Sequence, residues 1–204
     1  MPYEQQGNSC GAWCATHRVA IANPALLANA GVFTARAQLI YGQVRFNQAD
    51  GNRAWTQARR LVFSQWCAEG YSDPWRIASM LRHAGIGTAV CMDFAAVQAV
   101  GELGEMRNIL EQLGSRYGNP VIQRSLAGIP AGAYAIGVFR DGGGLHYLLL
   151  RNAAQLQVYD PRSQQLNWRN IDAAPAFQGS IETTIMNPGF MHQNYVFLGV
   201  FVTC

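Results

Sequence analysis

Charge is scarce in this chain: only 13% of its 204 residues are charged, and the net charge is +3. An excess so small and so evenly spread gives no footing for nucleic acid, whose phosphates require a concentrated basic face. The nearest approach to a basic cluster, Arg53, Arg59 and Arg60, reads as the solvated side of a helix. Long apolar runs are missing as well, so no membrane span is expected. Met1 to Ser9 is polar and has no signal-peptide core, which leaves a cytoplasmic protein or one exported without a cleaved signal. The cysteines, Cys10, Cys14, Cys67, Cys91 and Cys204, form an odd set without the spacing of a disulfide framework, so reduced thiols are expected. Neither an internal repeat nor a low-complexity tract is present. What is plentiful is apolar side chain, at 50% of residues, enough to exclude general disorder and to fill the core of one domain spanning 1–204.

Taken in order, Cys10 to about Asn23 has helical spacing, with Pro24 closing it. Ala25 to Asn47 carries apolar residues at mixed intervals and reads as two short helices broken near Gly31. From Asn52 to Glu69 the residues Trp55, Ala58, Val62, Phe63 and Trp66 recur at three and four, and Gly70 follows as a stop. Ser72-Asp73-Pro74 caps a further helix running to Gly85. Ile86 to Met92 is a strand, and Glu102 to Tyr117 a helix. After Pro120 the texture changes: Ala133 to Arg140, Leu145 to Leu150, Gln155 to Asp160, Gln165 to Arg169 and Tyr195 to Val202 are strand-like runs between Gly, Asn, Asp or Pro. A helical part over about 1–118 followed by a strand-rich part over about 119–204 predicts an α+β fold with a mostly antiparallel sheet.

Two stretches carry chemistry. In Gln5 to Arg18, Cys10 stands where a polar turn gives way to a helix, with Asn8 or Ser9 as N-cap. A cysteine there lies in the positive field of unpaired amides, which favours thiolate. Gly11 leaves room beside the sulfur for a substrate. An upstream glutamine and the Cys10 amide would supply two donors to a developing oxyanion. The plainer alternative is a buried structural thiol.

The second stretch runs from Gly142 to Pro161. Three glycines precede His146, as suits a chain passing close to a ligand or lid. With an odd-numbered hairpin loop, Leu150 faces Leu156, Leu148 faces Val158, and His146 faces Asp160. One register then both fills the core and pairs the imidazole with the carboxylate. A two-residue loop would instead set His146 against Tyr159. Nucleophile, base and orienter are the parts that thiol catalysis needs.

Gln5 or Gln6 with Ser9-Cys10-Gly11, His146 heading an apolar strand, and Asp160 in Val158-Tyr159-Asp160-Pro161 together resemble the papain-like cysteine peptidase superfamily. The likeness is strongest to its compact bacterial branch of bacteriocin-processing peptidase domains and secreted effector proteases. It rests on two short segments; the stretch from about Pro24 to Pro130 matches no family. The resemblance implies a nucleophile-bearing helix packed on a sheet, with Cys10 as nucleophile, His146 as general base and acid, Asp160 fixing the ring, and Gln5 on the oxyanion. It implies a hydrolase of peptide, isopeptide or other amide bonds that needs no cofactor or metal, a protein or peptide substrate, and the role of a bacterial effector or toxin. The family's glutamine commonly lies six residues before the cysteine, where this chain has Glu4, so Gln5 and Gln6 both remain candidates.

Other readings compete. The same triad serves an acyltransferase or transglutaminase-like enzyme, or survives in a papain-like binding module that turns nothing over. Cys10, Cys14 and His17 lie on one helical face and could present zinc ligands, although no fourth is evident. His192 is the rival for the base, His83 reads as a charge at a helix C-terminus, and Asp172 and Glu182 read as solvated.

Overall fold

A computed structural model describes residues 5, 7–50, 55–93, 101–162, 169–175 and 195–204, the segment 169–175 by its backbone only. Gln6, Arg53, Glu182, the 187–189 turn and His192 lie outside the described residues, as does the side chain of Asp172. The fold is α+β, with five α-helices among the described residues and one mixed sheet.

Helix α1 (Cys10–Ala22) is followed by a 3-10 turn, Pro24–Leu26, and by α2 (Ala30–Val44). Here the expectation of two helices broken at Gly31 fails. Asn29 caps α2 by accepting from Gly31 N at 2.8 Å and Val32 N at 3.2 Å, so Gly31 sits in the first turn, and the chain breaks earlier, at Pro24. Helix α3 (Gln57–Glu69) begins under a Thr56 cap and ends at Gly70, whose φ of 74° is the left-handed stop a glycine provides. Helix α4 (Pro74–His83) opens on Asp73, which accepts from Trp75 N at 2.9 Å, with Pro74 in the first turn.

Strand β1 (Ala89–Met92) and helix α5 (Glu102–Arg116) complete the helix-rich part. Then come β2 (Ile122–Gln123), β3 (Tyr134–Asp141), β4 (Gly144–Asn152), β5 (Gln155–Tyr159), β6 (Arg169–Pro175) and β7 (Val196–Thr203). The strand expected over Gln165 to Arg169 is thus found as β6, further along the chain, and 165–168 lie outside the described residues. The strand order is β2-β1-β7-β3-β4-β5-β6; β1 and β2 run parallel and the other neighbours antiparallel. Because β1 pairs with both β2 and β7, the helix-rich part donates a strand to the common sheet.

Both sheet faces are covered, which is why β4 reads as an unbroken apolar run rather than an alternating one. Leu145, Tyr147 and Leu149 join the main core with α1, α3, α4 and α5, whereas Leu148 and Leu150 pack with Phe139, Leu156, Val158 and Phe201 on the other side. A short strap ties the ends of α2 and α3 together: Phe46 N donates to Tyr71 O at 2.8 Å, Asp73 N to Val44 O at 2.7 Å, and Arg45 bridges to Ser72. Among the described residues, no helix is long and apolar enough to cross a membrane.

Candidate active site

Helix α1 starts at Cys10, and Ser9 fills the N-cap position without a side-chain cap bond. Asn8, the other candidate cap, reaches away to the Glu69 carbonyl at 3.1 Å. The first amides of a helix have no intrahelical acceptor, and the Ser9 side chain does not cap them. The positive end of α1 thus begins at the Cys10 thiol.

The Cys10 thiol points at β4, with Sγ 4.0 Å from the carbonyl of Leu145, the residue just before His146. One turn later Cys14 donates to the Tyr147 carbonyl at 3.4 Å. The two thiols differ in kind. Cys14 is fully buried, and burial, followed by the charge of Cys10, pushes its thiol well above the usual range, so it stays protonated and inert. His17, a turn further on, stacks on Tyr159 at a centroid distance of 4.1 Å. Among the described residues, no group of three or more His, Cys, Asp or Glu is placed to hold a metal, and Cys10, Cys14 and His17 do not gather into one.

His146 is completely buried and Asp160 nearly so. The His146 Nε2 lies 3.0 Å from Asp160 Oδ1, and its Nδ1 is buried without a hydrogen-bond partner among the described residues. Burial alone would lower the imidazole pKa; the negative charge of Cys10 and the hydrogen bond to Asp160 outweigh it and raise the ring to about 9. The arrangement therefore favours an imidazolium next to the thiol at neutral pH.

The hairpin reaches this pairing by a different register from the one expected. Leu150 pairs with Val158 and Asn152 with Leu156, a slide of two residues that keeps the loop odd and every side chain on its expected face. Asp160, just past the end of β5, is then a diagonal neighbour of His146 rather than its direct opposite, still within reach of an imidazole. Asp160 Oδ1 also accepts from Arg162 N at 2.9 Å, an Asx-type turn that fixes the carboxylate.

A layer of residues that the sequence reading passed over holds the ring from behind. Tyr195 stacks on His146 with centroids 4.5 Å apart and planes 23° apart. Arg162 Nη1 donates to the Tyr195 hydroxyl at 3.1 Å and pairs through Nη2 with Asp141. Arg162 lies two residues after Asp160 and Tyr195 directly before β7; an Asp-Pro-Arg turn was the one local signal for the arginine, and nothing local marked the tyrosine.

Two glycines expected to make room for ligand make room for protein. A Cβ on Gly11 would lie 2.5 Å from Ser72 Cβ and 2.9 Å from Ile77 Cδ1. A Cβ on Gly144 would run into the Tyr71 hydroxyl, whereas Gly142 and Gly143 meet nothing. Gln5 is also redirected: its amide nitrogen donates to the Gly7 carbonyl at 2.9 Å, and among the described residues no hydrogen bond joins it to Cys10. Gln6 lies outside the described residues, so the amides of the first turn of α1 are the described backbone donors beside Cys10. His83 Nδ1 bonds the Ser79 carbonyl at 2.7 Å, as a helix C-terminal residue would.

Comparison of the chain with protein-family models, with curated proteins and with solved structures finds no match in any of the three. The chemistry therefore has to be argued from the geometry alone.

Proposed function

We propose that this chain is a thiol hydrolase of papain-like type that cleaves an amide bond, in a protein or peptide, through Cys10, His146 and Asp160. The observation that carries the reading is a buried imidazole held by a carboxylate at 3.0 Å on one nitrogen, its other nitrogen without a partner among the described residues, and raised to about 9 by the nearby charge of Cys10 and the bond to Asp160. The thiolate of Cys10 attacks the carbonyl carbon, and charge moves to the oxygen, beside the first amides of α1. The His146 imidazolium gives its proton to the leaving nitrogen, and the C–N bond breaks. The neutral ring then takes a proton from water, whose oxygen attacks the thioester; the C–S bond breaks, releasing the acid and restoring the thiolate and imidazolium. Asp160 holds the ring in place and stabilises its cationic form throughout.

Cys10 is only 1% exposed, so the resting sulfur is shielded and the ion pair lies in a water-poor setting where its electrostatics are strong. Mapping of cleaved proteins tests the proposal: new termini should appear with the wild-type chain and vanish with Cys10→Ala and with His146→Ala, both variants remaining folded. Full activity in either would refute it.

A second reading, transfer of the acyl group to an amine, is favoured by one compositional fact. All 15 cationic side chains of the Lys and Arg class are arginine, and the sequence contains no lysine. An acyl-enzyme built on such a chain has no ε-amine of its own to modify. Incorporation of a fluorescent primary amine into target proteins, dependent on Cys10, would choose transfer over hydrolysis.

A further inference from the structure

Away from the triad, α2 and α4 border an open groove of about 450 Å³ lined by Arg36, Gln43, Arg76, Ser79, Met80, His83 and Ala84. The lining follows from helix periodicity. Arg36 and Gln43 are seven residues apart on α2, and Arg76, Ser79, Met80 and His83 fall at i, i+3, i+4 and i+7 on α4, so each helix turns one stripe toward the other. Those stripes are polar and cationic, in a protein whose surface is otherwise poor in charge. Among the described lining residues there is no carboxylate.

Arg76 and His83 are held by neighbouring groups. Arg76 Nη1 donates to the Arg45 carbonyl at 3.1 Å, and Arg76 Nε lies 3.6 Å from Asp73 Oδ2, a contact that balances part of its charge. The bond from His83 Nδ1 to the Ser79 carbonyl leaves Nε2 as its free nitrogen. Arg36 comes from the facing helix and is exposed. Guanidinium groups present planar forks that match phosphate oxygens two at a time. A volume in the range of small-molecule sites also exceeds what a single halide would fill.

We infer that the groove between α2 and α4 binds a phosphate-bearing anion with more than one negative charge, held by Arg36, Arg76 and His83 and seated against Met80. The inference does not depend on the thiol chemistry. Phosphates of this kind occur both in small metabolites and on lipid headgroups, and the experiment separates the two sources. The full chain is titrated by calorimetry with tripolyphosphate, and in parallel is tested for co-sedimentation with phosphatidylcholine vesicles containing a phosphoinositide.

Saturable binding in either arm, weakened about ten-fold or more by Arg36→Gln and by His83→Gln, is the expected result, because each removes a charge-assisted hydrogen bond. It should be unchanged by Arg60→Gln, an exposed arginine on α3. A response in the first arm alone assigns a soluble ligand and in the second alone a headgroup. No binding in both arms, or equal binding by wild type, Arg36→Gln and His83→Gln, overturns the inference. Arg36 is exposed, so its replacement leaves the fold intact, and circular dichroism of the variant checks this.

Discussion

The most searching test of the site is the titration of His146. Raising a buried imidazole from 6.5 to about 9 corresponds to about 3 kcal/mol of preference for the protonated ring, supplied against the cost of burial by Cys10 first and Asp160 second. Following the ring by NMR over pH 5 to 11 should give a midpoint near 9 in the wild type. Cys10→Ala removes the largest raising influence and leaves burial in place, so the midpoint should fall furthest there; Asp160→Asn should lower it by a smaller amount. Because the folded-state pKa lies above the unfolded value, the stability this group contributes is complete below about pH 6.5 and is lost as pH rises through about 9. Denaturation midpoints should therefore fall over that window in the wild type and more weakly in Cys10→Ala. An unshifted midpoint in Cys10→Ala would mean that sulfur and ring do not interact, and the nucleophile assignment would fall with it.

The shielded sulfur predicts size selectivity: iodoacetamide should label Cys10 much faster than a bulky maleimide does, in mass-spectrometric time courses, and equal rates would show that the site is open. Replacing Gly144 with Ala forces a Cβ against the Tyr71 hydroxyl and should cost about 1–3 kcal/mol in urea denaturation while also slowing labelling of Cys10, because the displaced element carries His146. Asp73 is fully buried, and burial, opposed by its bonds to Tyr117 and Trp75, lifts it to about 6. Its folded-state pKa is raised, so its contribution to stability declines as pH rises from about 4 to 6, and Asp73→Asn should flatten that stretch of the stability profile. Trp66, fully buried and stacked on Phe46 at 5.6 Å, should cost about 3–5 kcal/mol on truncation to Ala.

Periodicity and capping made the helices legible. Trp55 to Trp66 marked α3, and Ser72-Asp73-Pro74 announced α4. They failed at Gly31 because a glycine in a helix interior and one in a first turn look alike in sequence; only the Asn29 side chain distinguishes them. The hairpin shows a second limit. Alternation fixes which face a side chain takes and says nothing about a slide of two residues, so the expected face of His146 and Asp160 held while their opposition became a diagonal. The expected direction of the Gln5 amide went wrong for a related reason. A local turn offered the Gly7 carbonyl two residues away, and local partners outcompete distant ones at little entropic cost. Tyr195 and Asp141 were illegible because each acquires its role only from contacts far along the chain, and the Asp-Pro-Arg turn marked the position of Arg162 without its distant partners.

The strap residues Tyr71 and Ser72 connect these observations. Ser72 fills the space over Gly11, beside Cys10, and its carbonyl accepts from the Tyr147 hydroxyl, beside His146; Tyr71 fills the space over Gly144. One short segment thus touches both halves of the site, on α1 and on β4, and it is itself pinned by bonds between 44–46 and 71–73. Well-packed contacts of this kind resist displacement, since a neighbour has no void to move into. Gly11 and Gly144 are then the contact points of a brace that sets the spacing of α1 and β4. Their lack of a side chain serves the packing of the elements that carry Cys10 and His146 rather than access to them.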